Sequence, residues 1–269
     1  MDAIRKMHKI FKIFLIICLC FSDLSKALAA NDEILDFFEQ EAMVIAASKQ
    51  PKKLSVAPAN VTIITAEDIA NYGFRNLGEA LQTVPGFYAV SDRNYSYLWV
   101  RGFGRPGDYN GRILGLVNGH RINENIYAGF FVGHEFSVDM RAIERIEVIK
   151  GPGSALYGDN AFFAVVNIVT KDHRTAPAAQ AAVEYGSWNT QKGFLGISTT
   201  FKERGGAYAA GSYRKMPPRD YSDPYFSARQ AEREEDYTAL ALLEKVGWKF
   251  QGNLNNRNKR VPTASYGTR

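Results

Sequence analysis

The sequence predicts a small α+β unit of mixed strand pairing, followed by antiparallel strands patterned like the start of a transmembrane β-barrel. Three observations carry this. Between residues 52 and 173, short strand and helix signals alternate among many glycines. From 174 to 269, apolar and polar residues alternate with period two, and Tyr, Gly and Trp are frequent. The chain also opens with a basic and then apolar stretch of the export type. At 46% hydrophobic and 23% charged residues, the composition is that of a folded protein and excludes a disordered chain.

Residues 1–29 read as a secretory signal peptide. Arg5, Lys6 and Lys9 precede an apolar run from Ile10 to Phe21, interrupted by Lys12, and Ala27-Leu28-Ala29 is a small-x-small cleavage site. The run is short of the ~20 residues that span a bilayer. Both cysteines, Cys18 and Cys20, lie inside it. The mature chain is therefore expected to hold no thiol, which excludes a disulfide framework, a cysteine nucleophile and a thiolate metal site. Cleavage also removes Arg5, Lys6, Lys9, Lys12 and Lys26 along with Asp2 and Asp23, so the formal charge falls from +5 to +2. No basic stripe remains, and no nucleic acid is expected as a partner.

Residues 30–51 form a leader, acidic from Asn31 to Glu41 and then β-prone from Ala42 to Ser48. Such a run suits addition to a partner's sheet edge, where main-chain hydrogen bonds supply affinity. In 52–173, Val61 to Ile64 is a predicted strand, and Thr65 with Asp68 resembles a capping box opening a helix at Ala66. A second helix runs from Leu77 to Val84 and is ended by Pro85-Gly86. Tyr95 to Arg101 and Arg112 to Val117 read as strands, with Asn118-Gly119 as a two-residue hairpin turn. After a helical turn near Met140, Ile146 to Ile149 and Val165 to Val169 are strands joined through Gly151-Pro152-Gly153-Ser154-Ala155-Leu156-Tyr157-Gly158. In 174–269, strands are expected over 183–185, 195–201, Ala207 to Arg214, Thr238 to Lys245 and Lys249 to Asn255, with a hydrophilic loop from Lys215 to Asp236. A soluble β-sandwich shares this alternation and stands as the alternative for this segment.

Enzyme signatures are weak. Gly102-Phe103-Gly104-Arg105-Pro106-Gly107 matches G-x-G-x-x-G, but Pro106 stands where a helix should open. Gly151 to Gly158 lacks the Lys-Ser/Thr of a P-loop and reads as a tight turn. His120, His134 and His173 show no metal-ligand spacing, and nothing in the sequence brings two carboxylates to one pocket. No catalytic residue, metal ligand or cofactor is expected.

The ordered pieces Ala57-Pro58, Val61 to Ile69, Leu81 to Gly86, Val100-Arg101-Gly102-Phe103, Leu116 to Gly119 and Ile143 to Gly158 together resemble the plug domain of TonB-dependent outer-membrane receptors. The resemblance implies a plug over 52–173 inside a barrel of ~22 strands, of which 174–269 would supply the first four or five. It implies a TonB box at Glu41, Ala42, Met43, Val44, Ile45, Ala46 and Ala47, the strand that pairs with TonB of the inner membrane. Only residues 30–40 precede it in the mature chain, too few for an added signalling domain. The plug motif residues are Arg101, Gly102, Phe103, Gly104, Asn118, Gly119, Glu144, Arg145, Glu147, Gly151, Pro152, Gly153, Tyr157 and Gly158. Arg101, Glu144, Arg145 and Glu147 are candidates for contact with the barrel wall, a solvated sheet face being the other reading. Phe162 and Phe163 depart from the smaller, glycine-rich stretch of many members.

The implied function is uptake of a scarce external nutrient chelate, ferric siderophore being the commonest cargo, by a protein exported to the Gram-negative outer membrane and in contact with its lipid. The alternative is a soluble periplasmic plug-like binding or adaptor protein. From Arg174 to Arg269 there are 96 residues, fewer than a closed barrel requires. The expected reading is an N-terminal piece of a receptor that does not transport alone.

Overall fold

A computed structural model of the chain describes residues 43–44, 52–53, 60–105, 107–202, 205–223 and 226–260. Two compact units are present. In the smaller, β1 (Met43–Val44) pairs antiparallel with β2 (Lys52–Lys53), placing Met43 opposite Lys53 and Val44 opposite Lys52. Of the expected TonB box, Glu41, Ala42, Ile45, Ala46 and Ala47 lie outside the described residues.

The larger unit begins with β3 (Asn60–Thr65), which runs into α1 (Ala66–Tyr72). The predicted capping box is formed: Thr65 Oγ1 accepts from the Asp68 N–H at 3.1 Å, and the Asp68 carboxylate accepts from the Thr65 N–H at 2.8 Å. Gly73, in the left-handed region at φ 65°, ends the helix. Asn76 caps α2 (Leu77–Gln82), whose Leu77, Ala80 and Leu81 share one face at i, i+3 and i+4 and are fully buried. Next come β4 (Phe87–Ser91) and β5 (Ser96–Val100), a two-stranded ribbon, and β6 (Ile113–Val117) with β7 (His120–Arg121). A 3-10 turn at Met140–Ala142 leads into β8 (Ile143–Lys150), then α3 (Ser154–Tyr157) and β9 (Ala164–Thr170).

The five-stranded order is β3-β8-β9-β6-β7, parallel between β6 and β9 and antiparallel elsewhere. This is the mixed sheet that the sequence predicts. β6 and β9 are buried almost end to end, as central strands covered on both faces must be. Asn118 and Gly119, at φ 50° and 82°, close the β6–β7 hairpin, a pair of positive angles that Asn-Gly adopts readily.

The second sheet is antiparallel throughout, in the order β10 (Ala179–Gly186), β11 (Thr190–Phe201), β12 (Gly205–Met216), β15 (Glu234–Lys245) and β16 (Trp248–Lys259). It is the open beginning of a barrel wall. Period-two alternation sends Phe194, Tyr208, Ala210, Leu240 and Leu242 into one buried cluster with Leu77, Ile143, Val148 and other residues of the α+β unit. Val183, Leu195, Ile197, Leu243, Phe250 and Leu254 point the other way and are exposed. Trp248 stacks with Phe250 next to the tight turn at 246–247, and Tyr213 stands opposite Tyr237 towards the other end. An apolar band flanked by aromatics has the pattern of a transmembrane β-strand.

Two features depart from expectation. The segment Lys215 to Asp236 is not one loop: β12 continues to Met216, β13 (Arg219–Asp223) and β14 (Phe226–Ala231) form their own hairpin, and β15 begins at Glu234. Charge at every position of Glu232 to Asp236 hides the period, yet Glu234 and Asp236 are buried because alternate residues face the α+β unit. β4 was not anticipated; it follows Gly86 (φ 90°), which turns the chain back after Pro85.

Candidate functional site

Beside the shared apolar cluster, the surface between the α+β unit and the inner side of the strands carries two groups of polar contacts. Along β16, every second residue turns inward and reaches across. Gln251 Oε1 accepts from Asn118 Nδ2 at 2.8 Å, Asn253 Nδ2 donates to Ser137 Oγ at 2.7 Å, and Asn255 Nδ2 donates to the Phe136 carbonyl at 3.3 Å. Arg257 continues the row, donating to the Asn94 carbonyl at 2.8 Å. Neutral amide contacts of this kind contribute little net free energy each and exchange readily with water, so they hold a surface that can separate.

Beside this row lies a buried ion cluster. Glu234 is 2.5 Å from Arg257, 3.1 Å from Arg214 and 3.6 Å from Lys259. Arg214 also meets Asp236 at 2.6 Å, and Arg257 meets Glu135 of the α+β unit at 3.5 Å. Further pairs bridge the two layers: Lys192 with Asp139 at 2.7 Å, Arg141 with Glu184 at 2.8 Å, and Arg93 with Glu232 at 3.5 Å. Sequence reasoning missed these carboxylates, which converge only because β12, β15 and β16 bring them against loops lying about a hundred residues earlier.

His134 stands at this cluster. Burial first, then the neighbouring Arg214, Arg257 and Lys192 push its pKa down to about 3 from 6.5, with Glu234 opposing, so the imidazole is neutral at pH 7. The unfolded chain takes up this proton below about pH 6.5 and the folded one does not. Stability contributed by the neutral ring is therefore complete above that pH and is lost as pH falls through the window towards 3. Between pH 7.5 and 4.5, His134→Gln should therefore lose less stability than the unaltered chain, as read by urea midpoints; parallel pH dependences for the two proteins would refute this assignment.

The motif residues take positions inside the α+β unit. Arg145 lies 3.0 Å from Glu144 and 2.9 Å from Glu147, a fully buried carboxylate that also accepts from Asn167 Nδ2 at 3.1 Å. Asn167 in turn accepts from the Gly119 N–H at 3.0 Å, so Glu144, Arg145 and Glu147 lead to the Asn118-Gly119 turn. Arg101, at φ 53°, and Gly102, at φ 80°, form a tight turn that returns Phe103 to Val100, and a Cβ on Gly104 would lie 2.2 Å from the Trp99 ring. Arg101 is exposed. Among the described residues, the charges that meet the strands are Arg93, Glu135, Asp139 and Arg141, whereas Arg145, Glu144 and Glu147 pair with one another. Gly151 N–H and Gly153 N–H donate to the carbonyls of Phe163 and Ala161, closing the Gly151 to Gly158 loop, which Pro152 stiffens. Tyr157 follows on α3, its pKa raised by burial and then by Glu147, and Gly158 (φ 76°) ends that helix. Phe163 stacks on Phe103 at 5.9 Å and meets Phe162 edge-on at 5.0 Å, which gives the bulky pair an aromatic patch to pack in.

A second aromatic group surrounds the tip of the β4–β5 ribbon. Tyr95 contacts Tyr109 and Phe131, and Tyr109 contacts Tyr97 and Tyr127. The Tyr97 hydroxyl donates to Asp92 at 2.7 Å; its pKa is raised by burial and then by that carboxylate. Burial acts to raise the Asp92 pKa, but hydrogen bonds from the Tyr95 N–H, Tyr97 and the Asn94 N–H bring it below the usual value.

A family model described as the TonB-dependent Receptor Plug Domain matches residues 53–165. The chain carries that plug domain. The vitamin B12 transporter BtuB of Vibrio vulnificus (strain CMCP6) is 28% identical over 187 residues, 68% of this chain and 29% of its own length. The iron-regulated outer membrane virulence protein of Vibrio cholerae serotype O1 is 33% identical over 135 residues, 49% of this chain and 20% of its own. The crystal structure of the ferric yersiniabactin uptake receptor FyuA from Yersinia pestis superposes with a TM-score of 0.55 at 17% identity, covering 76% of this chain and 32% of that one. The pyoverdine outer membrane receptor FpvA from Pseudomonas aeruginosa PAO1 gives 0.57 at 16%, covering 80% and 30%. At those identities the two structures show the fold: a plug followed by antiparallel barrel strands. The chain spans less than a third of the length of each of these four proteins. The virulence protein and the pyoverdine receptor are outer membrane proteins by name, and the other two are a transporter and an uptake receptor.

Proposed function

We propose that the chain supplies the plug and first wall strands of a TonB-driven uptake receptor for an external nutrient chelate, a ferric siderophore or a similar compound. In this reading residues 1–29 are the export signal, 30–51 carry the TonB box at 41–47, 52–173 are the plug and 174–269 begin the wall. The observation that supports it is the row of β16 amides reaching across from the wall to the plug, contacts that water can replace, beside the buried Glu234 cluster. A soluble adaptor would have no use for the exposed apolar face of Val183, Leu195, Ile197 and Phe250. The aromatic group around Tyr95 and Tyr109 suits the side of the plug that meets a chelate.

Force would enter through the TonB box. Strand addition depends on main-chain donors, so a proline there removes a hydrogen bond and fixes φ. The full chain in detergent micelles should bind the purified C-terminal domain of TonB, and Val44→Pro should weaken that binding about tenfold or more, as read by fluorescence anisotropy. Equal binding by the two proteins, or none by the unaltered chain, would overturn the assignment.

A further inference from the structure

We infer that Asp172, His173 and Glu244 form a binding site for a divalent first-row transition-metal ion, which fastens the segment joining plug to wall onto strand β15. The inference is independent of the cargo and of the TonB box. One ligand atom from each residue lies within 4.8 Å of the others, and all three side chains are partly buried.

The three groups are set in place by different elements. Asp172 Oδ1 accepts from the N–H groups of Arg174 and Thr175 at 2.8 and 3.1 Å, which fixes its carboxylate in a turn. The carbonyl of His173 accepts from Ser198 Oγ of β11 and Thr200 Oγ1, both at 3.4 Å. Its ring lies over Gly206 of β12, where a Cβ would come within 2.3 Å of the imidazole, so only glycine leaves that seat open. Glu244 is the direct cross-strand neighbour of Gly206 and therefore stands beside the ring. Wall strands thus seat the imidazole of the joining segment and supply the second carboxylate beside it.

Arg174 now stands at the centre. Its guanidinium is 2.6 Å from Glu244 and 3.9 Å from Asp172, and its Nε lies 3.4 Å from His173 Nε2. That ring nitrogen therefore faces the middle of the group, where a metal ion would meet it. The arginine side chain is 61% exposed. Exposed ion pairs of this type are weak, so an ion that binds all three ligands can displace the guanidinium into solvent. One imidazole with two carboxylates suits Zn²⁺, Fe²⁺, Co²⁺ or Ni²⁺, whereas Mg²⁺ and Ca²⁺ prefer oxygen alone. Tetrahedral ligands at about 2.0–2.2 Å from an ion stand about 3.3–3.6 Å from one another, so small side-chain movements close the group.

The test uses the full chain in detergent micelles with Cys18→Ser and Cys20→Ser, so that no thiol competes. Zn²⁺ titration by calorimetry should show one equivalent bound, and Co²⁺ should give visible d–d absorption that Zn²⁺ abolishes and millimolar Mg²⁺ does not. His173→Ala and Glu244→Gln should each weaken binding by at least the ~10–100-fold that outer-sphere changes cause. Arg174→Ala should tighten it, because the resident cation is gone. No binding by the chain, unchanged binding by His173→Ala, or weaker binding by Arg174→Ala would each overturn the proposal. Should a variant lose its β-sheet circular dichroism, the Co²⁺ spectrum of the unaltered chain decides: present, it supports the site; absent, it refutes it.

Discussion

Replacing Glu234 with alanine is expected to lower the stability of the chain by about 3–5 kcal/mol, the usual effect of removing one partner from a buried ion network. The side chain is 3% exposed and faces Arg214, Arg257 and Lys259, themselves only 9–14% exposed. Asp236 and Glu135 are the other carboxylates of the group, so three cations now meet three anions. Without Glu234, three buried cations face two carboxylates, and Lys259 loses the partner at 3.6 Å. Water reaches the group poorly, so solvent does not make good the loss. Glu234→Gln keeps an acceptor for Arg257 but not the charge, and an intermediate loss is expected. Glu235, one residue on, is the control: it pairs at the surface with Arg233 and Lys215, so alanine there should leave the urea midpoint close to that of the unaltered chain. Urea midpoints in detergent, followed by tryptophan emission, measure all three. A loss below about 1 kcal/mol for Glu234→Ala would show that the cluster is solvated and does not clamp the plug.

The contrast between Glu234 and Thr65 shows where the sequence is readable. Thr65 and Asp68 act within one turn, so their capping box is written in four consecutive residues. Asn118-Gly119 is equally local, and the wall strands betray themselves by period two wherever apolar residues mark the outward face, as at Leu195 and Ile197. Glu232-Arg233-Glu234-Glu235-Asp236 has no apolar mark, and its alternation becomes visible only once Arg214 and Arg257 are known to lie on the neighbouring strands. His173 and Glu244 are a similar case, because they meet through the pairing of Gly206 with Glu244 and through a ring seat left by an absent side chain. Arg145 and Glu147 stood out as motif residues, yet what they touch is the buried Asn167 and the turn it holds, a partner that spacing does not name.

Phe130→Ala should destabilise the plug by about 3–5 kcal/mol, because the ring is fully buried and its surroundings have little freedom to collapse. Its N–H donates to the Tyr109 carbonyl at 2.9 Å and its own carbonyl accepts from Asn110 Nδ2 at 2.7 Å. The Asn110 side chain also accepts from the Leu98 N–H at 2.6 Å and donates to the Ser96 carbonyl at 3.1 Å, tying the segment to β5. The ring is thus held from behind, and its face rests on Gly115 in β6, where a Cβ would lie 2.2 Å from Cδ2. Gly115→Ala should therefore cost about 1–3 kcal/mol by overpacking, since neither the central strand nor the ring can retreat. The two changes act on one volume, so they should not add. With Phe130→Ala in place the new methyl enters the cavity instead of a clash, and the double variant should be more stable than the sum of the single losses by about 1 kcal/mol or more. Losses that add within about 0.5 kcal/mol would mean that Gly115 is there for the strand's backbone and not for the ring. Coupling would identify the contact that sets the loop carrying Tyr127 and Phe131 against β6, and with it the position of the aromatic group around Tyr95 and Tyr109.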